Sequence, residues 1–262
     1  MPITRAEALD RTAGRVAEFG FFFDFDGTLA PIREDPATAR LAAGVWEAVA
    51  RLAAVARRVT IVSARPVAFL RERFTGVPVT LSGMYGLELG TPDGHLATDP
   101  EAEPWIPVVS GVTLRADAEL SGRGVYVEPK RLSVALHYRT APELAEVVDG
   151  WAQRRAEETG LSVQSGRMVR ELRPPLARDK GTAVQPLLDD LDGAWFVGDD
   201  VADIRAFEVL AERQRADDRF LAVRAAVTNG APVDQLTAEA DFTLAEPAEV
   251  GRLISAVADL AA

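Results

Sequence analysis

The sequence predicts an α/β protein: a parallel-sheet core interrupted by an inserted antiparallel α+β module of order αββαββ. Three observations carry that expectation. Two apolar runs far apart in the chain, Phe21-Phe22-Phe23 and Ala194-Trp195-Phe196-Val197, read as buried strands, and each runs directly into aspartates. Between residues 21 and 62 a strand, a helix and a second strand follow one another, as a right-handed parallel unit requires. From about residue 108 to 172 the pattern becomes helix, strand, strand, helix, strand, strand, which belongs to a separate module.

Taken in order, residues 4–18 read as a short helix leading into the first strand. After Asp24 and Asp26, residues 30–36 form a proline-containing loop. Leu41, Val45, Val49 and Leu52 recur at helical spacing and mark the crossover helix. Arg58 to Val62 is β-branched and apolar, giving the second strand, and it ends in Ser63-Ala64-Arg65-Pro66. Serine there suits a helix cap and Pro66 a first helical turn. Another helix and the strand 78–82 follow. Thr91-Pro92-Asp93-Gly94 is a turn signal, so residues 86–98 are expected to form a hairpin. Residues 100–107 hold three prolines and two glutamates, the composition of a linker.

Within the insertion the expected helices are 108–120 and 141–159, the second with Leu144, Val147, Val148 and Trp151 on one side. The strands are 125–128, 132–138, 161–164 and 168–172, the last two joined at Ser165-Gly166-Arg167. Pro174-Pro175 closes the module, and Lys180 opens the next helix. A cation there is disfavoured by the helix dipole unless an anion sits nearby. Strands at 220–223 and 241–244 and a final helix at 247–260 complete the core. These readings divide the chain into a catalytic core, 1–106 and 174–262, and an inserted module, 107–173.

Composition removes several function classes. The 262 residues are 48% hydrophobic, with a net charge of −11, no cysteine and two histidines. No stretch is long enough to span a bilayer, and the N-terminus lacks an apolar signal core, so a soluble protein with a cytoplasmic setting is expected. The acidic balance argues against nucleic-acid binding. The absence of cysteine excludes disulfides, thiolate catalysis and cysteine-ligated zinc. An anionic substrate must then be met by a local cluster of positive charge. A monomer is expected, although no sequence feature fixes the oligomeric state.

The chemistry concentrates at the two acidic strand ends. Carboxylates at the carboxyl edge of a buried strand are costly unless paired, hydrogen-bonded or metal-bound, and ligands bind at that edge in open parallel sheets. Asp24 and Asp26 lie two apart and would share a face on a continuing strand; a turn at Gly27 can also aim the backbone carbonyl of Asp26 at a shared cation. Gly198-Asp199-Asp200-Val201-Ala202-Asp203 closes the other strand. Two such clusters converging without a cation would repel one another.

Residues 24–29, DFDGTL, resemble the signature of the haloacid dehalogenase superfamily. Ser63, Lys180 and GDDVAD follow in that superfamily's order, which implies a Rossmann-like core with a cap domain. A finer resemblance runs along DFDGTLAPI, VEPKRLSVALHYR, GRMVRELRPP, DKGTAV and GDDVADIRAF, which together are similar to the trehalose-6-phosphate phosphatase family. That resemblance implies Mg²⁺-dependent hydrolysis of trehalose 6-phosphate to trehalose and phosphate through an aspartyl-phosphate. Asp24 is then the nucleophile and Asp26 the general acid and base, while Ser63 and Lys180 hold the phosphoryl oxygens. Asp24, Asp26 and Asp199 carry the metal, with Asp200 and Asp203 orienting its waters. Glu128 and Lys130 are implied to contact the disaccharide, supported by Glu171 and Arg173, with Arg65 and Tyr85 as further substrate contacts. The chain departs from the family pattern at Ala64, Tyr85, Ala202 and Ile204, so the reaction type follows more firmly than the sugar. A phosphatase for another sugar or pseudo-disaccharide phosphate and a catalytically silent sugar-phosphate sensor are the rival expectations.

Overall fold

The computed structural model describes residues 2–33, 35–166 and 168–261. Arg167, expected in a turn of the insertion, and Glu34, in the first loop, lie outside the described residues. The chain forms two compact units, Met1–Ala97 with Arg178–Ala262, and Thr98–Ala177.

The first unit is built on one sheet. Its strands are β1 (Phe19–Phe23), β2 (Arg58–Val62), β3 (Thr80–Gly83), β4 (Glu88–Gly90) and β5 (Leu96–Thr98). After the insertion, which contributes β6 to β9, come β10 (Gly193–Gly198), β11 (Leu221–Val227) and β12 (Phe242–Leu244). Their order is β12-β11-β10-β1-β2-β3-β4-β5. All pairs from β12 to β3 are parallel, and β4 runs antiparallel to β3. The run of phenylalanines is explained by burial on both faces. Phe21 and Phe23 pack with Trp195 and Val197 beneath the helices Val45–Ala53, Val67–Arg73 and Pro247–Asp259. Phe22 and Phe196 point the other way, into a second apolar cluster with the helices Lys180–Val184 and Ile204–Ala216. Strand alternation thus produces a three-layer α/β/α sandwich with β1 and β10 side by side at its centre.

β11 extends beyond the expected strand at 220–223, and Arg224 inside it is neutralised in place. Asp241 accepts from its backbone N–H at 2.8 Å and from its guanidinium at 3.1 and 3.2 Å.

The second unit contains β6 (Tyr126–Pro129), β7 (Val134–His137), β8 (Ser162–Gly166) and β9 (Val169–Arg173) in an antiparallel sheet ordered β6-β7-β9-β8. The helices Ile106–Leu120 and Ala145–Thr159 pack on one face through Val109, Val112, Val148 and Trp151 against Val134, Leu136 and Leu172. Residues 100–107 are not a free linker but the entrance to this unit: Glu103–Trp105 is a 3₁₀ turn leading into the helix at Ile106. Pro104 and Pro107 fall in first turns, where a missing N–H costs nothing. The unit therefore starts before, and ends after, the expected 107–173. Among the described residues, no helix is long and apolar enough to cross a membrane.

Candidate active site

Parallel register puts the chemistry on one edge. Phe23 pairs with Val197 on one side and Ile61 on the other, so Asp24, Asp199 and Ser63 emerge at the carboxyl ends of three adjacent strands. The backbone N–H of Asp24 still donates to Val197 O at 3.0 Å, which extends the ladder to the nucleophile candidate itself.

Lys180 joins the two acidic strand ends. Its Nζ lies 2.7 Å from Asp24 Oδ1 and 2.6 Å from Asp203 Oδ1, with only 5% of its side chain exposed. A lysine in the first turn of a helix is thereby explained, because two carboxylates offset the dipole. Asp203 is fully buried, and its other oxygen accepts from the backbone N–H groups of Asp199 and Asp200 at 2.9 and 3.0 Å. It anchors both the lysine and the turn that carries Asp199.

Ligand oxygens of Asp24, Asp199 and Asp203 lie within 4.8 Å of one another. Three carboxylates against one ammonium leave an excess of negative charge in a largely buried space. Burial pushes the Asp24 carboxyl well above its ordinary range against the opposing pull of Lys180, and Asp203 and Asp199 push it further. Burial, followed by repulsion from Asp203, raises Asp199 to about 7. Burial alone would lower the Lys180 ammonium, but Asp203 and Asp24 override it and hold it well above the lysine range. Such a set of hard oxygen donors with uncompensated charge fits a hard divalent cation.

Asp26 behaves differently from Asp24. β1 ends at Phe23, and among the described residues the Asp26 carboxylate is not part of the acidic cluster. Instead Arg65 grips it as a two-point fork, with Nε to Oδ2 and Nη2 to Oδ1 both 2.8 Å. Arg65 in turn lies over the Phe69 ring at 4.5 Å. Among the described residues the clustered carboxylates are Asp24, Asp199 and Asp203. Arg65, expected to contact substrate, is engaged by Asp26.

Asp200, expected to orient a metal-bound water, is exposed and caps the turn Val201–Asp203 by accepting from Val201 N at 2.6 Å. Ser63 is buried and its Oγ accepts from Arg65 N at 3.1 Å, which closes a local turn ahead of the helix; the helix cap itself falls at Pro66 and not at the serine. Met84, Tyr85 and Gly86 follow one another in the left-handed region, at φ 52°, 58° and 91°. Backbone N–H groups of Met84 and Tyr85 donate to the carbonyls of Arg65 and Ser63, both at 3.1 Å, which holds this strained bend beside the second strand end.

Two contributors escaped the sequence reading. Glu88 is buried and accepts from Val67 N at 2.9 Å, capping the helix that follows Arg65. Asn229, just past β11, donates to Gly27 O at 2.9 Å and to Asp199 Oδ2 at 3.2 Å. The Thr-Asn-Gly turn signal at 228–230 could have pointed to it, had the strand been extended to Val227.

In the second unit, Glu128 and Glu171 both pair with Ala135 across neighbouring strands, so they occupy one row on the face away from the helices. Lys130 Nζ lies 3.6 Å from Glu128 and 3.4 Å from Glu171. Ser133 Oγ also bonds Glu171, and His137 Nε2 lies 2.9 Å from Glu128 Oε2. Arg173 shares the face of Glu171 by strand alternation.

A parallel α/β/α core with two aspartate-bearing central strand ends, a buried lysine and an inserted α+β unit has the architecture of the haloacid dehalogenase-like hydrolases. A solved haloacid dehalogenase-like hydrolase from Bacteroides thetaiotaomicron shares the fold, with a TM-score of 0.60 over 90% of this chain and 97% of its own at 14% identity. The chain belongs to the trehalose-phosphatase family, whose model matches residues 22–240. It is 36% identical to a trehalose-phosphate phosphatase of Mycobacterium avium over 257 residues, covering 91% of this chain but 61% of that protein. The chain thus spans about three fifths of the length of that curated relative. The solved C-terminal domain of a Candida albicans trehalose-6-phosphate phosphatase has the same fold, with a TM-score of 0.73, 98% coverage of each chain and 22% identity.

Proposed function

We propose that this chain is a Mg²⁺-dependent phosphatase that hydrolyses trehalose 6-phosphate to trehalose and phosphate through an aspartyl-phosphate on Asp24. The observation that carries this reading is the shared lysine. A buried ammonium between Asp24 and Asp203, 2.7 and 2.6 Å away, opposes the burial that favours a protonated Asp24 and can then accept charge from a phosphoryl group. The activity borne in the names of its relatives supports the choice of substrate.

Asp24 attacks phosphorus through its oxygen, and the bond to the sugar oxygen breaks. The leaving alkoxide takes a proton from Asp26. Asp26 then removes a proton from water, which attacks the phosphoryl group, frees Asp24 and yields inorganic phosphate. For either transfer, the Arg65 fork must release one Asp26 oxygen. Ser63, whose Oγ already accepts from the chain, keeps its O–H to donate to a phosphoryl oxygen. The carboxylates of Asp24 and Asp199 and the backbone carbonyl of Asp26 would hold Mg²⁺, which would supply charge neutralisation for carboxylate and phosphate together. Asp203 positions Lys180 and the Asp199 turn.

The sugar falls to Glu128, Lys130, Glu171 and Arg173, with Arg65 and Tyr85 as additional contacts. Carboxylates accept from, and ammonium and guanidinium groups donate to, sugar hydroxyls. Ionised sugar phosphates do not cross bilayers, so the reading carries a cytoplasmic setting with it.

The test is phosphate release from a panel of sugar monophosphates, with Mg²⁺ or with EDTA, for the protein and for Asp24→Asn. Selective, EDTA-sensitive release from trehalose 6-phosphate is expected, with turnover abolished in the variant. Preference for a monosaccharide phosphate would move the substrate elsewhere, and near-normal activity of Asp24→Asn would remove the covalent step.

A further inference from the structure

Asn229 has no role in the reaction as written, yet its side chain links the two acidic strand ends without passing through Lys180. β11 ends at Val227 beside β10, and the following turn is pinned by backbone. Thr228 N donates to Leu244 O at 2.9 Å, Asn229 N to Ala245 O at 3.0 Å and Ala231 N to Thr228 O at 2.8 Å. Asn229 itself sits at φ 50°, a region that asparagine tolerates better than most side chains. Both of its side-chain partners, Gly27 O and Asp199 Oδ2, are acceptors, so the amide nitrogen must face them and both of its protons are used.

The same Asp199 oxygen is pressed against Gly27. A Cβ built there would lie 1.8 Å from Asp199 Oδ2, and Gly27 has φ +77°. Asp199 is therefore confined by a close backbone approach on one side and an amide donor on the other. Asp203 and Asp24 lie nearby, and Lys180 contacts those two. A neutral donor in this position can fix one carboxylate oxygen without adding a positive charge that would compete with a cation.

We propose that Asn229 is a positioning residue of this site. By holding Asp199 Oδ2 and the Gly27 carbonyl together, it presents the Asp199 carboxylate to the divalent cation and sets the affinity for it. The proposal rests on the metal reading of the acidic cluster.

Asn229→Gly tests it, because glycine keeps the left-handed backbone without strain and removes only the amide. Mg²⁺ binding to the metal-free protein is measured by calorimetry for the unmodified chain, Asn229→Gly and Asp199→Ala, alongside turnover as a function of Mg²⁺. The expected result is a ~10–100-fold rise in the Mg²⁺ dissociation constant of Asn229→Gly, the usual cost of losing a partner that orients a metal ligand. Its turnover should fail at low Mg²⁺ and recover at high Mg²⁺, while KM for the sugar phosphate stays put. A purely structural role would not give that metal rescue. Unaltered Mg²⁺ affinity in Asn229→Gly, with Asp199→Ala defective, would overturn the proposal and leave the metal site standing. Equal affinity in all three proteins would overturn both.

Discussion

Single carboxylates in this protein are set apart by what each one touches. Asp24 and Asp199 are pushed up by burial and by neighbouring acids, Asp199 to about 7. An acid whose folded value is raised contributes stability that is complete below its unfolded value, near 4, and is lost as pH rises through its folded value. The metal-free protein should therefore lose stability between about pH 4 and pH 7, and a bound dication that displaces the proton should restore it. The expected outcome is a gain in melting temperature on adding Mg²⁺ that is larger at about pH 8 than at about pH 6. Equal gains at both values would sink this account of Asp199. The raised Lys180 contributes no change in this window, since its share is lost only at strongly alkaline pH. That Asp24 and the 199–203 aspartates would need a partner was legible in the sequence, because charge beside a buried strand demands compensation; that Asp203 anchors Lys180 and the Asp199 turn was not. The grip of Arg65 on Asp26 and that of Asn229 on Asp199 were not. Each is a side-chain contact between segments brought together only by the finished sheet.

Among the elements, the helix Val67–Arg73 begins without a capping side chain of its own, since Pro66 occupies the cap. Glu88, from β4, supplies the acceptor for Val67 N across the strained bend at 84–86. Replacing Glu88 with alanine strands a buried N–H and should cost about 1–3 kcal/mol. Urea unfolding should show a lower midpoint for Glu88→Ala and most of the stability retained in Glu88→Gln, which still offers an oxygen. An unshifted midpoint in the alanine variant would show that the cap is dispensable. The central strands β1, β2 and β10 were readable from composition, being apolar on both faces. β11 runs past its expected end at Val223 and carries Arg224 inside the sheet, where Asp241, from a segment distant in sequence, neutralises it.

For the molecule as a whole, the two units have separate apolar cores, and this organisation was readable from the change in strand order. Their borders were less so: the proline-rich stretch 100–107 has linker composition but serves as the first turns of the second unit. The proposed split of phosphate chemistry and sugar recognition between the units gives a clear kinetic expectation. Lys130→Ala, which leaves Glu128 and Glu171 without the ammonium beside them, should raise KM for the disaccharide phosphate by roughly tenfold, equivalent to one lost charge-assisted hydrogen bond. Hydrolysis of a small phosphoester such as p-nitrophenyl phosphate should be untouched. A matching loss on both substrates would mean that Lys130 acts on folding or chemistry instead.

The chain passes between the units at only two places, Ala97 to Thr98 and Ala177 to Arg178. Residues 98–177 can therefore be exchanged as a cassette through two splices, each outside the acidic strand ends. On the proposed function, that wiring lets recombination redraw selectivity while the acidic strand ends are inherited intact.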